Sequence, residues 1–130
     1  MASFEDLSVY SYGGEAEVGV LNVGWLGSDA SYPRGECDRR VRDLLLLRAL
    51  DPEVVMRGLH YCELCDEESP IRVEVPGQVR LAVLGVGEIR IVSGDAIYAA
   101  PTLVVHYIDA HGYTPPEEFC RAVLAIYTSP

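Results

Sequence analysis

Between residues 71 and 93 the chain reads IRVEV, Pro76-Gly77, QVRLAVLG and then, after a glycine break, GEIRIVS. Apolar and polar residues alternate through all three runs, which is the period of a strand with one buried face. Pro-Gly is a turn dipeptide, so consecutive runs are joined tightly. The pattern predicts three short antiparallel strands in a meander, with Arg72, Glu74, Arg80 and Arg90 on a solvated face. Such a sheet must cover its other face, and that requirement governs how the rest of the chain is read.

Cover is available on both sides of the meander. From Cys37 the sequence turns helical: Val41, Leu44, Leu45 and Arg48 recur at spacings of 3 and 4, and Asp51-Pro52 ends the run. After the Gly94-Asp95 turn, residues from Tyr98 onward read as two helices. Pro101 suits the first turn of one and Gly112 its C-terminal cap. Thr114 caps the next, with Pro115, Pro116, Glu117 and Glu118 in its opening turn and Phe119, Val123, Leu124 and Tyr127 as its apolar stripe. Upstream, alternation over 17–23 predicts a strand, and the opening MASFEDLSVYSY reads as an arm that packs through Phe4, Leu7 and Tyr10. VVMRGLHYC reads as a further strand running into a cysteine pair. The fold expected is α+β: a mostly antiparallel sheet of about five short strands with three helices, in a single domain spanning residues 1–130.

Charge limits the partners. Twenty acidic residues against ten basic ones give a formal net charge of −10. Phosphate backbones and anionic membrane surfaces repel such a chain, so neither nucleic acid nor a membrane is expected. A basic protein partner is the better match. All ten basic residues are Arg, and the absence of Lys removes Schiff-base chemistry and the phosphate-binding loop with its lysine. The N-terminal residues lack the basic start and apolar stretch of a secretory signal, so a cytoplasmic location is expected.

The chemistry concentrates in GLHYCELC. His60, Cys62 and Cys65 form H-x-C-x-x-C, and Cys-x-x-Cys is the short knuckle of zinc sites. On a strand, His60 and Cys62 address one side, and a turn returns Cys65 to the same point. Zinc takes four ligands, and His106, His111, Cys37 and Cys120 are the candidates for the fourth. His106 is preferred and His111 is the alternative; five apart, they stand roughly 140° apart on a helix, which argues against both serving one metal. A redox dithiol competes with zinc, but Glu63 inside the pair and Asp66, Glu67 and Glu68 after it raise thiol pKa values. A zinc enzyme with an open position would need a base, for which Glu63 and Glu88 are available. No H-E-x-x-H, deaminase or nucleophile-elbow pattern accompanies them. The competing structural reading is that the pair simply fills a turn as small apolar residues. Tyr98, Tyr107, His111, Tyr113 and Glu88 form a candidate interaction surface, or the tyrosines pack the helices onto the sheet with their hydroxyls at the rim.

Taken together, RGLHYCELC, LGVGEIRI, the early NVGWL and YAAPTLVVHYIDAHGYTPPEEF resemble a family of small bacterial proteins classed as a domain of unknown function. The family pattern runs RG-x-H-x-C-x-x-C, then LG-x-x-EIRV, then Y-x-AP-x-L-x-x-HY-x-x-x-H-x-Y-x-PP-x-x-F, and covers nearly the whole chain. The resemblance points to Arg57, His60, Cys62, Cys65, Glu88, Tyr98, Pro101, His106, Tyr107, His111 and Tyr113. It implies no activity, and Cys37 and Cys120 match nothing in it. The expectation is a zinc-dependent structural domain that binds a protein, with a zinc enzyme or a thiol redox protein using Cys62 and Cys65 as the competing class.

Overall fold

The computed structural model of the chain describes residues 4–12, 15–28, 31–52, 54–55, 60–68 and 70–128. In chain order the elements are β1 (Val9–Tyr12), β2 (Glu15–Asn22), α1 (Arg39–Arg48), β3 (Val54–Val55), β4 (Ile71–Glu74) and β5 (Leu81–Leu84). They continue with β6 (Gly87–Ser93), β7 (Ala96–Pro101), α2 (Val104–His111) and α3 (Glu117–Thr128). A five-stranded sheet has the order β1-β2-β7-β6-β3, and β4 and β5 form a separate hairpin. The β2–β7 pair is parallel and the other pairs are antiparallel. The fold class is therefore the α+β one expected.

The expected meander breaks after its second strand. β4 and β5 do pair, Ile71 with Leu84 through Glu74 with Leu81. The third run, β6, leaves them and pairs with β7 over six positions, from Glu88↔Pro101 to Ser93↔Ala96. Gly85, at φ 102°, turns the chain out of the hairpin; a residue with a Cβ is strained there. β7 reads as helix in the sequence because its AIYAAP does not alternate. A strand buried on both faces presents a continuous apolar run, and β7 sits mid-sheet. The opening arm contributes the edge strand β1, and Phe4 meets Trp25 edge-on at 5.8 Å.

The two faces of the large sheet differ. Ile89 and Ile91 of β6 join the main core with Val41, Leu45 and Leu46 of α1, Leu103, Val104 and Tyr107 around α2, and Phe119 and Val123 of α3. Tyr10, Val20, Trp25 and Ala99 form a smaller cluster of their own. The side chain of Arg90, expected in solvent, is only 22% exposed and lies over the Tyr10 ring. Arg72, Glu74 and Arg80 are exposed as expected. Arg57 and the rest of 56–59, within the strand expected over VVMRGLHYC, and the side chain of Tyr127 lie outside the described residues.

Candidate metal centre

The knuckle is positioned by the turn after β5. Gly85 accepts a hydrogen bond from the backbone N–H of His60 (2.7 Å) and donates its own N–H to Thr102 Oγ1 (2.9 Å). Thr102 in turn donates its N–H to the Gly87 carbonyl (2.9 Å). One turn thus fixes both the entry to residues 60–65 and the start of α2. Residues 60–62 are irregular and 63–65 form a bend, so no strand is present here. Backbone N–H groups of Leu64 and Cys65 donate to the Cys62 sulfur, an arrangement that stabilises a thiolate.

α2 supplies the opposing side. His106 lies in its middle and His111 is its last residue. Gly112, left-handed at φ 64°, returns a backbone bond to the Tyr107 carbonyl and ends the helix there. The Tyr32 hydroxyl donates to the His111 carbonyl (2.8 Å), which holds this terminus in place.

Four side chains converge between the two elements. One ligand atom from each of Cys62, Cys65, His106 and His111 falls within 4.8 Å of the others. The sulfurs are 3.7 Å apart, His111 Nε2 is 3.4 Å from Cys62 Sγ, and His106 Nε2 is 3.4 Å from Cys65 Sγ. The imidazoles meet edge-on with centroids 5.1 Å apart. Two thiols and two imidazoles in this arrangement can hold a metal ion. Cys62 and His106 are buried, whereas Cys65 and His111 are half-buried.

The surroundings tune these groups. Burial pushes the Cys62 thiol up, with the Leu64 and Cys65 N–H groups opposing it. Burial, then the neighbouring His111, hold His106 below the ordinary imidazole value. The shift favours neutral imidazole, the form that ligates a metal. The Tyr107 hydroxyl is pushed up first by burial and then by Cys62, Glu63 and Cys65.

His60 lies outside this cluster. Its ring stacks on Trp25 with centroids 5.7 Å apart and planes 20° apart, and it is 3% exposed. The alternation argument that tied it to Cys62 requires a strand, and none is present at 60–62. His111 joins His106 instead. An angular separation of about 140° leaves each ring only about 70° from the bisecting direction, so rings from both flanks reach one point. The missed signal was C-x2-C paired with H-x4-H, a Cys2His2 spacing whose halves are separated here by the 40 residues 66–105.

The tyrosines and Glu88 do not form an exposed surface. Tyr107 and Tyr113 are fully buried, Glu88 is 1% exposed and Tyr98 is 5% exposed. Their hydroxyls are engaged: Tyr98 donates to Glu118 (2.7 Å), Tyr107 to the Leu26 carbonyl (3.4 Å) and Tyr113 to Asp6 (2.9 Å). Glu88 accepts from Tyr10 (2.6 Å) and faces Arg90 at 3.6 Å. The core won these residues because each brings a large apolar body and a hydroxyl with a partner. Cys37 and Cys120 belong to neither the cluster nor a disulfide.

Fold and cluster together describe a small α+β domain whose knuckle and second helix share a candidate metal centre. The chain belongs to the family of domain of unknown function DUF7919, whose model matches residues 2–124. No curated protein matches it, and no solved structure does. Among the described residues no helix is long and apolar enough to cross a membrane.

Proposed function

We propose that Cys62, Cys65, His106 and His111 bind one zinc ion as a closed structural site, and that the domain so braced is a protein-interaction module. The observation that carries the reading is the spacing of the donor atoms. Around zinc, with Zn–S about 2.3 Å and Zn–N about 2.0–2.1 Å, a tetrahedron has edges of about 3.8 Å between sulfurs and about 3.5 Å from sulfur to nitrogen. The separations here are 3.7 Å and, twice, 3.4 Å. Two thiolates balance the charge of a divalent ion, and a tetrahedral S2N2 set favours zinc among the common metals. Four protein ligands leave no position for substrate, which favours a structural role over a catalytic one.

The metal would join the 60–65 segment to α2, elements far apart in sequence. Binding would then be folding free energy, as in other small metal-dependent domains. A reducing cytoplasm keeps the thiols available for this. For the partner, the net charge of −10 and the exposed Glu63, Asp66, Glu67 and Glu68 beside the knuckle support a basic protein.

Elemental analysis of untagged protein tests the reading, together with a thiol titration. One zinc per chain, with Cys62 and Cys65 unreactive until chelator is added, is the expected result. Metal-free protein with four freely titrating thiols would overturn it.

A further inference from the structure

α1 carries more apolar surface than its own domain buries. Its sequence, RRVRDLLLLR, holds four leucines in succession, and at about 100° per residue such a run wraps past any single face. Val41, Leu45 and Leu46, with Ala49 at the C-cap, are buried in the main core. The opposite side of the helix is a stripe of Arg40, Asp43, Leu44, Leu47 and Arg48, at successive spacings of 3, 1, 3 and 1. Leu47 is 42% exposed and Leu44 is half-buried. These two leucines form a ridge shared by two hollows. One, of about 340 Å³, reaches Val75 and Pro76 beyond β4, and the other, of about 250 Å³, reaches Ile91, Val123 and the exposed Ile126. A ridge between grooves is the surface with which one helix packs on another.

We propose that this face of α1 is a homodimer contact, on which the same helix of a second copy of the chain packs antiparallel around a two-fold axis between Leu44 and Leu47. The charge pattern is what selects a second copy. A two-fold axis at that point sets Leu44 against the second copy's Leu47, Asp43 against its Arg48, and Arg40 against its Asp51. Each match occurs twice by symmetry, so two leucine pairs are flanked by four pairs of opposite charge. A parallel, in-register arrangement would set each charge against its own kind. Asp51 lies just beyond α1, where its N–H donates to the Arg48 carbonyl (3.2 Å) and continues the stripe.

Burial of the leucine ridge against the hollows of the second copy drives the association, and the charges set its direction and register. Their present partners are exchanged at little cost. Arg40 pairs with Asp38 (2.7 Å) and Asp51 with Arg80 (3.0 Å), both as exposed surface pairs. The net charge of −10 on each copy opposes association, and this face meets little of that opposition: residues 38–51 hold four arginines against three aspartates. The contact is independent of the metal centre, since none of Cys62, Cys65, His106 and His111 lies on α1.

The test is sedimentation velocity of the full chain as purified, over a series of concentrations. The expected result is a reversible dimer of twice the chain mass. Leu47→Glu puts a charge on the exposed ridge and should raise the dissociation constant at least about tenfold, with circular dichroism unchanged. Asp43→Arg and Arg48→Asp should each weaken the dimer, because like charges then meet across the axis. The two reversals combined should restore it, because the pair is again complementary; Arg42 keeps its bond to Asp109 (2.8 Å) when Asp43 is replaced. A monomer at every concentration, a dimer indifferent to Leu47→Glu, or single reversals that the double reversal does not rescue would each overturn the proposal.

Discussion

The four cysteines of the protein fall into two pairs, one at the metal centre and one outside it, and they differ in what surrounds them. Cys62 and Cys65 are three residues apart, receive backbone N–H groups and face two imidazole nitrogens at 3.4 Å. Cys37 and Cys120 are 83 residues apart, and their thiols donate to the carbonyls of Asp38 (3.6 Å) and Pro115 (3.8 Å). The first pair has the donors of a cation site; the other two thiols each donate to a backbone carbonyl. Identical side chains thus take different chemistry from their surroundings, because a thiolate needs a compensating cation or hydrogen bonds and each site offers a different one.

The largest effect expected is at the first pair. Cys62→Ser should lose the metal and with it most of the net stability. Structural zinc contributes about 10–16 kcal/mol in small peptides, against about 5–15 kcal/mol of total stability for a domain. Thermal unfolding should become broad or vanish, and chelator should have no further effect on the variant. An unchanged melting curve would count against a structural metal.

Two histidine variants sharpen the assignment of ligands. His111→Ala should abolish stoichiometric zinc. His60→Ala should keep one zinc per chain and cost about 1–3 kcal/mol through lost packing on Trp25. Metal loss in the second variant with retention in the first would exchange their roles.

A smaller effect is expected where Tyr113, two residues beyond His111, is held by Asp6. Tyr113→Phe leaves the Asp6 carboxyl without its O–H donor and should cost about 1–2 kcal/mol in denaturant unfolding. Burial raises the Asp6 pKa above its ordinary 3.8, against hydrogen bonds from Gly24 and Tyr113. The folded state therefore holds this proton more tightly than the unfolded chain. Its contribution is fully present below pH 3.8 and is lost as pH rises through the folded-state value. Asp6→Asn should flatten stability in that window; an identical pH profile would refute the linkage.

The smallest effect is at the second pair. Cys120→Ala should cost about 1 kcal/mol or less under reducing conditions, as a half-buried truncation does, and leave metal content unchanged. Zinc loss in this variant would mean that the two pairs are not independent.

The legibility of the chain follows the range of the interactions. α1 is recognisable because Val41, Leu44, Leu45 and Arg48 recur at spacings of 3 and 4, and Val41 and Leu45 are buried. The β4–β5 hairpin is recognisable because Pro76-Gly77 and alternation are local signals. β7 was hidden because burial on both faces erases alternation, and the departure of β6 from β5 was hidden because a turn dipeptide does not name a strand's partner. At the metal centre the knuckle was legible and the imidazoles were half legible. The helical-wheel angle between His106 and His111 counted against a convergence that two long side chains achieve.

By itself, the sequence determined the α+β class, the helices, the cysteine knuckle and the acidic character, since each depends on composition or on neighbours a few residues apart. Tertiary structure alone decided that His111 rather than His60 completes the cluster, and that Glu88 and three tyrosines are interior. Those outcomes depend on which faces the sheet and helices bury against one another. Segments 41 to 78 residues apart, such as Cys65 with His106 and Tyr10 with Glu88, are brought together only when the whole core closes.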